Sequence, residues 1–197
     1  SHLPKDAADT FLDFAAWTSV NELARPWLEE VAAHPEKLIG RQAQLDTLTG
    51  IAVPLVTAPY MPRITAGHAI DADGTGPLIE LIGKSGSAAE LTPLYAAFIK
   101  EGALKPAARL RAANSLTEAA RVRNVRPDGD LSGIASLLGS TDRALLSAAI
   151  HLAGEWGQTQ LVPQLAEFAG NEKDAELRSD ALTALRKIGQ GPAVDAL

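Results

Sequence analysis

Residues 142–189 read DRALLSAAIHLAGEWGQTQLVPQLAEFAGNEKDAELRSDALTALRKIG, and the stretch matches the sequence 32 residues further on. Asp142 returns as Asp174, Leu145 as Leu177, Ser147 as Ser179 and Ala149 as Ala181. Gly157 returns as Gly189, Gln158 as Gln190, Val162 as Val194 and Leu165 as Leu197. Apolar positions also face apolar positions: Ile150 pairs with Leu182, Ala153 with Leu185 and Trp156 with Ile188. A fixed shift in the thirties is the signature of stacked helical pairs. Each pair is too small to bury its apolar stripe alone, and stacking the pairs buries a continuous core.

Working outward, residues 106–122 read as a long Ala/Arg helix, and 130–139 as a short helix bearing Leu131, Ile134, Leu137 and Leu138. A slide of 31 places Leu131 on Val162, Ile134 on Leu165, Leu137 on Phe168 and Gly139 on Gly170, so 106–139 reads as the same unit with a longer inner loop. Upstream, Ser87 caps a helix expected at about 88–101, with Gly102 expected as its C′ residue. A short helix precedes it at Pro77–Gly83. Residues 54–74 carry three prolines and two glycines and read as an irregular insertion, with a short helix near Arg63–Ile70. A third helical pattern spans 41–53. At the N-terminus, 6–23 and Trp27–Ala33 read as a helical pair broken at Arg25-Pro26. No segment alternates with period two, so no sheet is expected. The expected fold is all-α: one α-solenoid domain over 1–197, HEAT-like or armadillo-type, of about five helical pairs. Its repeats are weak over 6–104 and clearer over 105–197.

Composition fits closely packed helices. Apolar residues make up 46% of the 197, and they are mostly Ala and Leu, the best helix formers. The formal charge of −6 and pI near 5.2 disfavour nucleic acid and anionic membrane as main partners. The absence of cysteine excludes disulfides, thiolate metal sites and thiol nucleophiles within the chain. No apolar run reaches the length of a membrane span, and no stretch reads as a signal peptide. Ser1-His2 fits a tag remnant, and Leu197 falls within an expected helix, so a piece of a longer protein is expected.

The unit Leu177-Arg178-x-x-Ala181-Leu182-x-x-Leu185-x-x-Ile188-Gly189 resembles a HEAT repeat, with its leucine–arginine start and glycine end. A narrower likeness lies in Phe11–Trp17, Asn21-Glu22-Leu23, Pro26-Trp27-Leu28, Arg126–Leu131 and Leu152–Trp156. These look like the repeat segment of large multidomain Planctomycetes-type proteins, membrane-bound dehydrogenases joined to c-type cytochromes. In that family a β-propeller precedes the repeats, and a cytochrome with a Cys-x-x-Cys-His site follows. The resemblance implies a bacterial, extracytoplasmic setting, with the redox chemistry held by domains outside this sequence. It implies no catalytic or cofactor residue here.

Motif by motif, the residues favour structure over chemistry. Gly83-Lys84-Ser85 lacks the glycine that a phosphate loop needs five positions earlier, where Leu78 stands, and reads as a helix C-terminus with Gly83 and Gly86 in the turn. Asp71-Ala72-Asp73-Gly74 lacks the calcium-loop pattern and reads as a solvated turn. His2, His34, His68 and His151 share no metal-ligand spacing, and His151 is expected on the polar side of its helix. No Gly-x-Ser-x-Gly elbow occurs. No residue is therefore assigned to catalysis, to a metal or to a cofactor. The distinctive charge feature is Lys105, Arg109, Arg111, Arg121, Arg123 and Arg126, opposed only by Glu118. As helix-terminal cations they would pair with acids of the neighbouring unit. As a surface, Arg109, Arg121, Arg123 and Arg126 would meet an anionic partner. Trp17, Trp27 and Trp156 are expected in the core. The functional expectation is a non-catalytic protein-interaction or spacer module of a larger, redox-related protein. Its partners would be other domains of the parent or a separate protein. The alternatives are one wall of an oxidoreductase site formed with further domains, and a nucleic-acid-binding HEAT module.

Overall fold

The computed structural model describes residues 57–67, 69–76, 78–171 and 174–189, and in the N-terminal part only residues 15, 18–19, 21–24, 26–30 and 33–34. Among the described residues every regular element is a helix and none is a strand. The α-helices are α1 (Met61–Gly67), α2 (Leu78–Ser85), α3 (Ala88–Ile99), α4 (Pro106–Arg123), α5 (Arg143–Glu155), α6 (Val162–Ala169) and α7 (Ala175–Gly189). Three-ten turns occupy Ala58–Tyr60, Ser132–Gly139 and Thr159–Leu161. Residues 21–24 and 26–30 are also helical, and the Tyr60 hydroxyl donates to Glu29 at 3.1 Å. The expected helix over 41–53 lies outside the described residues, as does Trp17.

Local chemistry sets the helix ends. Ser87 caps α3 in a capping box: its hydroxyl accepts from the Ala89 N–H, and Glu90 reaches back to the Ser87 N–H at 2.7 Å. Pro106 starts α4, where its missing N–H costs nothing. Asn124 ends α4 in the left-handed region at φ 52°. Asp142 caps α5 by accepting from the N–H groups of Ala144 and Leu145. Helix α5 starts at 143 and α7 at 175, which is the 32-residue offset of the sequence.

Packing runs in sequence order. Helices α2, α4, α5 and α7 form one row, each against the next. Helix α3 also packs on α4, the 132–139 turn on α5, and α6 on α7. Two crossings in the row are very close. A Cβ on Gly83 would lie 2.6 Å from the Ser115 Cβ, and one on Gly154 would lie 2.7 Å from the Ala184 Cα. The small buried residues of α4 (Ala108, Ala112, Ala113, Ser115 and Ala119) let neighbours approach it from several sides. Larger side chains fill the core: Leu91, Leu94, Phe98, Leu116, Ile134, Ile150, Leu152 and Leu165 are all fully buried. Trp156 is buried edge-on to Tyr95, with ring centroids 5.4 Å apart, and Trp27 is half-buried against the core.

Several expectations need correction. Gly83 is not in a turn. It lies inside α2, and its missing side chain is what admits Ser115. Ser85, the end of that tripeptide, is buried and hydrogen-bonded to the Thr57 hydroxyl. Gly102 has the expected positive φ of 74°, but α3 ends earlier, with Lys100 as its C-cap, so the glycine serves the following turn. The 132–139 segment is three-ten rather than α, closed by bonds such as Ile134 N–H to Leu131 C=O at 3.3 Å. Within 54–74 the short helix is Met61–Gly67, and Met61 and Ile64 are buried in the core.

Two substitutions test this account. Gly154→Ala gains about 1 kcal/mol in helix propensity but forces a methyl onto backbone, which costs about 1–3 kcal/mol. The melting temperature is expected to fall, whereas Gly139→Ala, with nothing within 4 Å of the new methyl, should leave it unchanged. Ser87→Ala is expected to cost about 1 kcal/mol in urea unfolding through loss of the cap.

Candidate interaction groove

Helices α4, α5 and α7 leave an open groove of about 480 Å³ whose lining is more apolar than polar. Helical spacing builds it. Leu110, Asn114 and Thr117 come from α4, Arg143, Ser147 and His151 from α5, and Glu176 and Asp180 from α7. Residues three or four apart on a helix share a face, so each helix contributes one column.

Most charge in the groove is already paired across the α5–α7 crossing. The Arg143 guanidinium forks onto both oxygens of Asp174, with Nη2 to Oδ1 at 2.6 Å, and also reaches Glu176 at 3.1 Å. Asp174 accepts from the Leu177 N–H at 3.1 Å as well, so it caps α7 and anchors α5 at once. Arg143 above all, and then the Leu177 N–H, hold the Asp174 carboxyl below its usual range. The same contacts raise the already high pKa of Arg143. At the other end of the crossing Lys187 pairs with Glu155.

Ser147, Asp180 and His151 meet between these two ties. The Ser147 hydroxyl donates to Asp180 Oδ2 at 2.6 Å, and His151 Nε2 lies 3.2 Å from Asp180 Oδ1. The order matters. An activated serine needs its histidine between hydroxyl and acid. Here the carboxylate sits in the middle and receives both, so the cluster clamps two helices and no base is aimed at Ser147. His151 is half-exposed on the polar side of α5, as its position in the sequence implies. Among the described residues no three His, Cys, Asp or Glu side chains gather as metal ligands would.

The four candidate arginines do not form one patch. Arg109 stands near the start of α4, and Arg121 and Arg123 near its end, about 18–21 Å further along the axis at 1.5 Å per residue. Arg109 caps α3, donating from Nε to Phe98 C=O at 2.8 Å and from Nη2 to Ile99 C=O at 3.3 Å. Arg123 donates to Gly83 C=O at 2.8 Å, and burial pulls its pKa down. Arg111 forks onto Glu80, both bonds 2.6 Å, and also reaches Gly76 C=O at 2.8 Å. Arg121 and Arg126 are exposed, and Arg126 opens onto two loop-side hollows of about 310 and 390 Å³. The partners are thus mainly carbonyls at helix ends and turns, a role that sequence spacing does not reveal. The groove residues Arg143, Ser147, His151 and Asp180 were not singled out from sequence as a site. The signal for Arg143, Ser147 and His151 lay in their i, i+4 spacing on α5, and Asp180 had none.

The Arg143–Asp174 tie predicts a pH dependence. A depressed carboxyl stabilises the fold above its unfolded pKa, and that contribution is lost as pH falls through the lower folded value. Arg143 stays charged throughout. The melting temperature of Arg143→Gln should therefore lie below that of the natural chain at pH 7, and the two curves should converge once acid has protonated Asp174, below the ordinary carboxylate range. A gap that persists there would show that the guanidinium acts through packing instead. Compared with known proteins, the chain matches no family model, no curated protein and no solved structure.

Proposed function

We propose that this chain is a non-catalytic interaction or spacer module, an α-solenoid of HEAT-like helical pairs. In that reading α2, α4, α5 and α7 form the inner row, and α3, the 132–139 turn and α6 the outer one. The sequence-order packing of the helices supports it. The observation that carries the interaction role is the groove, one open surface lined by three successive helices. Repeat proteins bind along such a surface because each unit adds one more column of side chains. The groove lining is apolar at Leu110, Ala144, Ala148 and Leu177 and polar at Asn114, Thr117, Ser147 and Asp180. That mixture suits an extended or helical segment of another protein or of a neighbouring domain.

A redox-related parent rests on the family resemblance alone, and so does a part in an oxidoreductase wall. Binding of nucleic acid draws no support from the arginines, because Arg109, Arg111 and Arg123 are held by internal acceptors.

A photo-crosslinking amino acid at Asn114, which is exposed in the groove, tests the interaction role in the producing cells. The same residue at Glu167, exposed on α6, is the control. Discrete protein adducts from position 114 and none from 167 are expected. Equal adducts at both positions, or none at 114, would remove the groove as an interaction surface.

A further inference from the structure

The 32-residue offset allows α5 and α7 to be compared position by position, and one position behaves oppositely in the two helices. Ile150 on α5 is fully buried. Leu182, its counterpart on α7, is 53% exposed. Ile150 lies on the side of α5 from which Ser147 bonds Asp180 and Gly154 meets Ala184, the side that receives α7. Among the described residues the corresponding side of α7 is exposed at Ser179, Leu182 and Arg186. It is a different face from the groove, turned roughly a third of a turn from the buried stripe Leu177, Ala181, Ala184 and Ile188.

The neighbours of Leu182 say what would cover it. Arg178 and Arg186 stand one turn before and one turn after it. Among the described residues neither forms an ion pair. The counterpart of Arg186 on α5 is Gly154, the residue that lets α7 approach to backbone contact. An arginine there holds a covering helix further off, so a unit that crosses as α7 crosses α5 does not fit. A helix that stands off by one side chain and carries carboxylates opposite both arginines does fit.

We infer that the outer face of α7 docks an acidic amphipathic helix of a separate protein, with an apolar residue on Leu182 and acids paired to Arg178 and Arg186. The face resembles other helix-on-helix recognition surfaces, in which an apolar anchor supplies affinity and flanking charges set the partner.

The test uses the full chain and two labelled helical peptides read by fluorescence anisotropy. Both carry one leucine face. One has glutamates four residues before and after the central leucine, and the other has lysines there. The glutamate peptide should bind and the lysine peptide should not. Arg178→Glu with Arg186→Glu should weaken the glutamate peptide by about tenfold or more and admit the lysine peptide. Arg186 is exposed and Arg178 half-buried, so an unchanged helical circular-dichroism spectrum checks the variant's fold. Equal binding of both peptides, no binding of either at millimolar concentration, or an unaffected double variant would each overturn the inference. So would sedimentation showing a dimer that Leu182→Asp dissolves, since the occupant would then be a second copy.

Discussion

Close approach between successive helices is the constraint from which the rest follows. At Gly154–Ala184 and at Gly83–Ser115 the backbones meet with almost nothing between them. Interiors are packed to crystal-like density, so such crossings fix their neighbours within a fraction of an ångström. Because α7 lies so near α5, Asp180 is within reach of both Ser147 and His151, and Arg143 is within reach of Asp174. Because α2 lies so near α4, Arg111 reaches Glu80, and Arg123 reaches the carbonyl of Gly83 itself. The polar ties are consequences of the small-residue crossings, and they fix the registers that the crossings permit.

The same geometry accounts for how much the sequence revealed. Helix identity was legible because the signals are local: the Ser87 cap and apolar residues at helical spacing. The offset between α5 and α7 was legible because it repeats side chain for side chain. Gly83 misled because a glycine near a helix end usually serves a turn, whereas this one serves a tertiary contact. The 132–139 segment misled because apolar spacing alone does not separate three-ten from α geometry over eight residues. The arginines were the least legible. Carbonyl acceptors have no signature in the sequence, so these cations pointed to acids of the neighbouring unit or to an anionic partner, whereas Arg109 and Arg123 bind helix-end carbonyls.

The groove was half legible. Its columns follow from helical spacing, but its charge state depends on which acids the next unit brings over. Asp174, Glu176 and Asp180 arrive from 31 to 33 residues away. They turn a row that reads as cationic and neutral on α5 into a largely compensated one. A surface of this kind selects its occupant by shape and by hydrogen bonding more than by net charge.

The distances along the chain carry one more consequence, which concerns how the protein folds. The side-chain bonds that join α2 to α4 and α5 to α7 span 31, 40, 31, 33 and 32 residues. Every such tie closes a loop of about one unit, and loop-closure entropy rises only slowly at that length. Chains dominated by contacts of short sequence separation fold fast, because no distant partner has to be awaited. Formation and fraying can then proceed locally. The junction between α5 and α7 is a natural seam, rich enough in ties to close early and local enough to open without undoing the Tyr95–Trp156 core behind it.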